Sequence, residues 1–288
     1  MAETTTKTSR RAARVTGRRA TTHWYPRAGA GGRPSSAWYW GWALYVNRGG
    51  YRGAFLRLAP LGLALLIGAF VAHVGWLDVV VGSSFLLALV TLVHSVLGHG
   101  LVYGGPAGRT FDRLLKLGGV TGPAVVADLH IGTWRHSYAL SDRLPGAQII
   151  SIDIWRAGVE ATEGAVRELR ELEEPPPPTA RLDVRAAGDG RLPLTDASVD
   201  VVVMGLGTHE VEGAAQELLL SEARRVLKPG GTVLFFEHAK NWQSLLIFGP
   251  GISHWTSRAE WTRRLSERFS RVRSVRTALA VDLFAADG

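Results

Sequence analysis

From residue 118 to the C-terminus, the chain alternates short apolar runs with longer amphipathic ones. Short apolar runs are typical of buried strands and amphipathic runs of helices, so the alternation predicts βαβ units in a parallel sheet with both faces covered. The last two apolar runs have no helix between them, which predicts an antiparallel hairpin at the sheet edge. The predicted fold class is therefore α/β, a doubly wound, mostly parallel seven-stranded sheet with an antiparallel edge strand. The predicted strands are 124–129, 148–154, 181–186, 199–206, 232–238, 272–278 and 280–285, and the predicted helices are 133–143, 157–173, 213–227 and 258–269.

Upstream of this region, residues 58–74 and 79–102 contain no Asp, Glu, Lys or Arg. Because an α-helix rises 1.5 Å per residue, roughly 20 apolar residues cross the hydrocarbon core of a membrane. The short join at 75–78 predicts a transmembrane hairpin over residues 58–103; the alternative is a soluble protein that buries two apolar helices. Basic residues flank both outer ends but not the join, so both termini and the C-terminal domain are predicted to be cytoplasmic, in a two-helix, multi-pass membrane protein.

The excess of basic residues is concentrated at the N-terminus. The chain has 288 residues and a formal net charge of +8, and its first 36 residues carry eight Lys or Arg against one acid, Glu3. Residues 1–36 are predicted to be a disordered basic tail, suited to an anionic membrane surface or nucleic acid, or to no specific partner. Residues 37–57 mix aromatics with arginine, which indicates an interfacial segment or a packing patch on the domain. Residues 104–117 are predicted to be a linker to a domain over 118–288.

The predicted sheet carries an acid at the end of each of its first two strands. Asp128 precedes a turn that contains Gly132, where glycine permits a positive φ and close approach of a ligand. Asp153 ends the second strand, about twenty residues past that turn, where an acid accepts hydrogen bonds from ribose hydroxyls. The same acid would suit a dinucleotide site or cap the next helix. Cysteine is absent, which excludes disulfides, a thiolate nucleophile and Cys-ligated metal; no metal site is predicted.

Two further strings complete the pattern. Residues 188–203 read GDGRLPLTDASVDVVV, with Asp189 in an acidic turn before the fourth strand, and residues 224–231 read RRVLKPGG. The second string predicts a helix stop, followed by paired glycines that turn the chain into the fifth strand. In this order and spacing the four landmarks resemble the class I methyltransferases that use S-adenosylmethionine (AdoMet), over residue 124 to the C-terminus.

The resemblance implies a Rossmann-like fold, AdoMet as the cofactor and methyl transfer as the reaction. His130 and Trp134 stand where the family places glycines, so a membrane-anchored scaffold that has lost cofactor binding is the alternative. The implied roles are the methionine side for Asp128 and Gly132, ribose for Asp153 and adenine for Asp189. The full set of implied cofactor-binding residues is Asp128, His130, Gly132, Trp134, Asp153, Asp189 and Gly205.

Open α/β sheets place ligands at the carboxyl ends of their strands. His209, after the fourth strand, is the first candidate for a general base, and His238, after the fifth, is the second. His209 could instead cap the next helix. Residues 241–260 carry Trp242 and Trp255 among small and apolar residues, which indicates an apolar lid, a surface that docks on the bilayer, or packing against the hairpin.

These features predict a membrane-anchored enzyme with a lipophilic small-molecule acceptor, such as a quinol or a phospholipid, and the lipid bilayer as partner. A nucleic-acid methyltransferase that uses the basic tail is disfavoured, because the active site would lie against a bilayer and no Asn/Asp-Pro-Pro-aromatic motif is present. A nicotinamide oxidoreductase is a more distant alternative. The sequence indicates no oligomeric state.

Overall fold

The computed structural model describes residues 33–72, 75–104, 107–155, 164–188, 190–211, 213–277 and 280–288. Most of the basic tail, Asp189 and the first part of the helix predicted over 157–173 lie outside these residues. The helices are α1 Ser36–Val46, α2 Arg48–Ala72, α3 Gly75–His99, α4 Ala107–Gly118, α5 Arg135–Arg143, α6 Gly164–Leu172, α7 Gly213–Val226, α8 Trp242–Phe248 and α9 Arg258–Ser266. The strands are β1 Val125–His130, β2 Gln148–Asp153, β3 Leu182–Ala186, β4 Val199–Gly205, β5 Leu227–His238, β6 Ser270–Arg276 and β7 Val281–Asp287.

The strands form one seven-stranded sheet in the order β3-β2-β1-β4-β5-β7-β6. Strands β1 to β5 pair in parallel, and β7 lies antiparallel between β5 and β6. This confirms the predicted fold class. Because the order reverses between β1 and β4, these two strands form the switch point at which open α/β sheets bind ligands.

The RVLKPGG string divides between two elements, because Arg225 and Val226 end α7 and Leu227 to Gly231 lie inside β5 rather than before it. The strand starts at Leu227, which pairs with Val199, and an irregularity follows before the regular register resumes at Thr232. Gly230 has a φ of +76°, and a Cβ on Gly231 would lie 2.8 Å from the carbonyl oxygen of Asp200. The paired glycines therefore bend the early part of the strand against β4 instead of forming a separate turn.

Apolar side chains cover both faces of the sheet. One face packs on α7 and α9, and the other packs on α4 and α5. Helix α4 occupies most of the predicted linker 104–117 and ends one residue beyond it, and its Phe111, Leu114 and Leu115 are buried against the sheet. Their spacing places them on one face of a helix, so this segment is part of the domain core and not only a connection to it.

The two apolar stretches form helices that begin earlier than their charge-free runs. By length and composition, Arg48–Ala72 and Gly75–Tyr103 could each cross a membrane, and only 6% of the apolar window in each is buried. The structure thus leaves both helices largely exposed and does not show a soluble core that buries them. A π-helical turn, Gly100–Gly104, follows α3 and leads to α4.

The aromatic segment predicted over 37–57 divides between two helices. In α1, the buried side chains of Trp42 and Tyr45 pack against Leu169 and Leu172 of α6. Arg48 and Arg52 belong to the first turns of α2. The first half of the segment is thus a packing patch on the domain, and the second half begins an apolar helix.

Replacing Gly205 with alanine is expected to destabilise the domain. A Cβ there would lie 2.2 Å from the carbonyl oxygen of Phe236 on β5, and a sheet backbone cannot move aside as a flexible side chain can. Overpacking of this kind costs roughly 1–3 kcal/mol. The thermal unfolding midpoint of the detergent-purified chain should therefore fall.

The matched control is Gly188→Ala, whose new Cβ would meet, among the described residues, only the carbonyl oxygen of Arg191, at 4.0 Å. Its midpoint should stay close to that of the unaltered chain. Equal midpoints for the two variants would contradict the close approach of β4 and β5.

Candidate active site

A cavity of about 140 Å³ lies at the carboxyl edge of β1, β4 and β5, beside the switch point. Its floor comes from the loops that follow these strands. Its walls come from α1, the end of α3 with the turn that follows it, and the segment after β5. The lining residues from the floor are Ile131, Thr133, Leu206, His209 and His238, and those from the walls include Tyr39, Trp42, His99, Tyr103, Phe248 and Trp255.

Beneath the turn after β1, a chain of hydrogen bonds joins four side chains. The Gly132 N–H donates to Nδ1 of His130 at 3.0 Å, which leaves the imidazole proton on Nε2, 2.8 Å from Oγ of Ser151. The Ser151 hydroxyl lies 2.6 Å from that of Ser137, which donates to Oδ2 of Asp128 at 2.5 Å. This series of hydrogen bonds ties β1, β2 and α5 to the turn and selects one tautomer of His130.

Burial sets the protonation states of Asp128 and His130, the two titratable residues in this series of hydrogen bonds. Desolvation raises the pKa of Asp128 to about 7 and lowers the pKa of His130 to about 4. His130 is therefore neutral at physiological pH, as its acceptor role toward Gly132 requires. Both residues are predicted from sequence to bind the cofactor, but their side chains are at most 1% exposed and support the turn from below.

Trp134 lies beside the turn and not in the cavity. Its indole meets the His130 ring edge-on, with centroids 4.5 Å apart, and its backbone N–H donates to Glu173. The side chain is 6% exposed and does not line the cavity. The two aromatic residues at family glycine positions therefore leave open the space between the ends of β1 and β4. Gly132 keeps the conformation that favours glycine, with φ +92°.

The Asp153 carboxylate at the end of β2 is held by Arg170 of α6. The guanidinium donates to its two oxygens at 2.9 and 2.7 Å, and to the carbonyl oxygen of Ile131 at 2.9 Å. It also lies 4.9 Å from the ring centroid of Trp155. A Cβ on Gly132 would lie 2.2 Å from Nη1 of Arg170. Arg170 thus fills the angle between the glycine turn and the acid predicted to hold a ribose.

A second hollow, of about 70 Å³, opens where β2 and β3 end. Its lining is mostly apolar and includes Ile154, Ala187 and Leu192. Gly190 also lines it, next to Asp189, the residue predicted to contact adenine, which lies outside the described residues. An apolar hollow one residue past Asp153 suits the flat face of a nucleobase.

His209 and Glu237 form a hydrogen-bonded dyad in the cavity floor. Nδ1 of His209 lies 2.9 Å from Oε1 of Glu237, so Nδ1–H donates to the carboxylate and the lone pair lies on Nε2. The backbone N–H groups of His209 and His238 also donate to Glu237, each at 3.2 Å. A buried carboxylate that orients an imidazole is the arrangement used in general base catalysis. Glu237 is not among the residues predicted from the sequence.

His238, the second predicted base, forms part of an aromatic wall. It stacks on Trp255 with centroids 4.6 Å apart, and its Nε2 lies 3.1 Å from the Tyr103 hydroxyl. Burial holds its pKa well below the usual value, and the nearby His209 lowers it further. A buried imidazole with a pKa this low is a poor proton acceptor.

A histidine–carboxylate cluster of this kind also suits a divalent cation in principle. The ligand atoms of His209, Glu237 and His238 lie within 4.8 Å of one another. Both Glu237 oxygens already accept N–H donors, so the geometry favours the hydrogen-bonded dyad.

A buried polar cluster closes the cavity on the side of α1, and no local sequence signal predicts it. Nη1 of Arg135 donates to the carbonyl oxygen of Tyr103 at 2.7 Å. The Tyr39 hydroxyl donates to Glu173, whose pKa is raised to about 7 by burial. Nε of Arg135 and Oγ1 of Thr133 are buried without a hydrogen-bond partner among the described residues. Buried polar atoms of this kind mark a place where a ligand can complete the hydrogen bonding.

Comparison with known proteins finds methyltransferases that match the part of the chain in which this site lies. Residues 128–235 match the family model for a methyltransferase domain. Over 113 residues the chain is 33% identical to the malonyl-[acyl-carrier protein] O-methyltransferase of Xylella fastidiosa strain M23, covering 39% of this chain and 34% of that protein. Over 152 residues it is 28% identical to the thiol S-methyltransferase TMT1B of Homo sapiens, covering 50% of this chain and 57% of that protein. These matches span about a third and somewhat over half of the lengths of the two curated relatives.

Among solved structures, the pyocyanin biosynthetic protein PhzM superposes with a TM-score of 0.50 at 17% identity, covering 86% of this chain and 72% of that one. At this level of identity the likeness concerns the fold alone. The family match covers the glycine turn, the carboxyl ends of β1 and β4 that form the switch point, and most of β5. Over residues 128–235 the chain therefore carries a methyltransferase domain, and the sheet that holds it has the Rossmann-like fold of the methyltransferases that depend on S-adenosylmethionine.

Proposed function

We propose that this chain is a membrane-anchored enzyme that transfers a methyl group from AdoMet to a lipophilic small-molecule acceptor, such as a quinol or a phospholipid. The observation that carries the proposal is the cavity itself. Its floor holds the His209–Glu237 dyad, and its wall includes His99 and Tyr103 at the end of a long, outwardly apolar helix. An acceptor dissolved in a bilayer would reach such a site by lateral diffusion.

The residues at the sheet edge fit the cofactor. Gly132, with its positive φ, has no side chain on the face where Arg170 now packs, so a cradle forms there when Arg170 moves. The buried Thr133 Oγ1 and Arg135 Nε in the cavity wall have no hydrogen-bond partner among the described residues. These two groups suit the carboxylate of an amino acid. Asp153 would accept the ribose hydroxyls once Arg170 has moved away, and the hollow beside Ile154 would take the adenine.

The chain's own residues supply the rest of the chemistry. The cofactor, when bound, provides an electrophilic methyl group on a sulfonium. His209 accepts the proton of the acceptor at Nε2, while Glu237 holds Nδ1–H and stabilises the imidazolium that forms. The rings of Tyr103, Phe248 and Trp255 line the cavity, where they exclude water and interact favourably with positive charge.

The membrane part of the proposal rests on the two apolar helices and the charges around them. Arg48 and Arg52 begin α2, and Arg109 and Arg113 follow α3. In contrast, the join between α2 and α3 carries no Lys or Arg. The positive-inside rule therefore favours a cytoplasmic domain with both outer helix ends on the cytoplasmic side. The inactive scaffold is disfavoured because His130 and Trp134 do not fill the cavity.

The proposed function is tested with methyl-labelled AdoMet and the full chain in vesicles that contain total lipid extract. Label should appear in the organic phase, and separate incubations with a quinol, an aminophospholipid and a long-chain alkanethiol identify the acceptor atom. An absence of AdoMet binding by the folded chain in calorimetry would refute the enzyme. Transfer confined to water-soluble acceptors would refute the lipophilic substrate.

Arg170→Ala is expected to tighten AdoMet binding, because it frees the Asp153 carboxylate from two charge-assisted hydrogen bonds. The pair is partly exposed, so the gain should be about 1.4 kcal/mol, or roughly tenfold in Kd. Calorimetric titration of the detergent-purified chain measures it without requiring an acceptor.

Arg185→Ala serves as the matched control, since Arg185 pairs with Asp183 on β3 and does not approach the glycine turn. Its Kd should equal that of the unaltered chain. Weaker binding by Arg170→Ala would mean that the guanidinium contacts the cofactor instead of competing with its ribose.

His209→Ala is expected to slow methyl transfer by about 10²–10⁴-fold while leaving the Kd of AdoMet unchanged, because a positioned general base contributes about that much. Glu237→Gln should also slow transfer, since an amide cannot accept all three N–H donors that the carboxylate accepts. Single-turnover rates are measured with the acceptor that takes the label.

The control is His254→Ala, which removes an exposed imidazole whose ring centroid is 6.4 Å from that of His209. Similar rates for all three variants would exclude the dyad as the base.

A further inference from the structure

Helix α8, Trp242–Phe248, carries an apolar face that the described parts of the chain leave largely uncovered. Trp242 is 67% exposed, Leu245 47% and Leu246 37%. Their spacing puts them on one face of the helix, whereas Ser244 and Ile247 on the other face are buried. Three large apolar side chains on one face of a short helix are the composition of a surface that meets lipid.

The buried face of α8 is fixed to the end of α3. Oγ of Ser95 donates to the carbonyl oxygen of Ile247 at 2.6 Å. A Cβ on Gly98 would lie 2.5 Å from Cγ1 of Ile247, so the glycine permits this close approach. Beside this contact, Leu97 of α3 is 49% exposed and Leu101 of the π-helical turn that follows it is 42% exposed. The apolar surfaces of α3 and α8 therefore occur at the same level along α3.

That level corresponds to one boundary of the hydrocarbon layer. Asp78 in the first turn of α3 must remain outside the hydrocarbon. Counting from it, roughly 20 residues at 1.5 Å per residue span the hydrocarbon core of about 30 Å. The count ends near Gly98, where α8 is docked. Trp242 is then at the depth that tryptophan favours, between the apolar core and the headgroups.

From this geometry we infer that α8 is an interfacial helix whose Trp242, Leu245 and Leu246 face inserts into the cytoplasmic leaflet. The inference rests on the proposed membrane anchoring of α2 and α3. It adds a third contact with the bilayer, made by the methyltransferase domain itself. Phe248 at the end of α8 and Trp255 soon after it line the cavity, so this contact holds the cavity wall against the headgroup region.

The absence of cysteine from the chain makes a direct test possible. Single-cysteine variants Leu245→Cys and Leu246→Cys are labelled with an environment-sensitive fluorophore, and the full chain is reconstituted in phosphatidylcholine–phosphatidylglycerol vesicles. The labels should show a blue-shifted emission, loss of intensity with spin-labelled lipid, and protection from aqueous iodide. Two positions are used so that a local perturbation at one does not decide the result.

Two control variants calibrate the depth scale. Leu87→Cys, at a side chain 67% exposed near the middle of α3, marks the hydrocarbon. Ser221→Cys, on the exposed side of α7, marks water. If labels at 245 and 246 are quenched by iodide like the label at 221 while the label at 87 is in lipid, α8 does not insert and the inference fails alone. If the label at 87 is also in water, the membrane anchoring fails and the inference falls with it.

Discussion

The carboxyl edge of the sheet depends on a buried chain of hydrogen bonds that runs from Asp128 through Ser137 and Ser151 to His130 and Gly132. Each bond contributes about 1 kcal/mol net, but removing one member would leave buried partners unsatisfied, which costs more. These hydrogen bonds crosslink the neighbouring strands β1 and β2 and the helix α5 that connects them. They also consume the N–H of the glycine turn, so the turn keeps one shape although a histidine and a tryptophan flank it.

A turn held in this way separates the two halves of the site. On one side, the Asp153–Arg170 pair lies between the turn and the apolar hollow beside Ile154. On the other side, Ile131 and Thr133 line the larger cavity with His209. The residue that follows β4, Leu206, has a φ of +47°, a strained conformation for a branched side chain that is typical of functional loops. In the proposed function, cofactor contacts and proton transfer therefore fall on different loops of one sheet edge.

Much of the sheet was accessible from the sequence because its strands are apolar runs with unambiguous breaks. His209 could be identified from its place after β4, since strand ends converge at one edge. The role of Glu237 depends on its pairing with that histidine, which only the register of β4 and β5 reveals. The bond between Tyr39 and Glu173 joins residues 134 positions apart, so no spacing rule could find it. The sequence reading places a linker where α4 forms, although the helical spacing of Phe111, Leu114 and Leu115 fits a helix packed on the sheet. Nothing in the local sequence distinguishes Arg170 from Arg167, the other arginine of α6.

The junction between α1 and α2 has a mechanical meaning. Helix α1 is attached to the domain by Trp42 and Tyr45 and by the bond from Tyr39, and only Asn47 separates it from α2. This one-residue connection is too short to act as a flexible linker between the catalytic domain and α2. In the proposed arrangement the reactive centre stands at a constant height above the bilayer midplane. Such an enzyme would discriminate among lipids by the depth at which each carries its reactive atom, so two molecules with the same head group but different tails could differ as substrates.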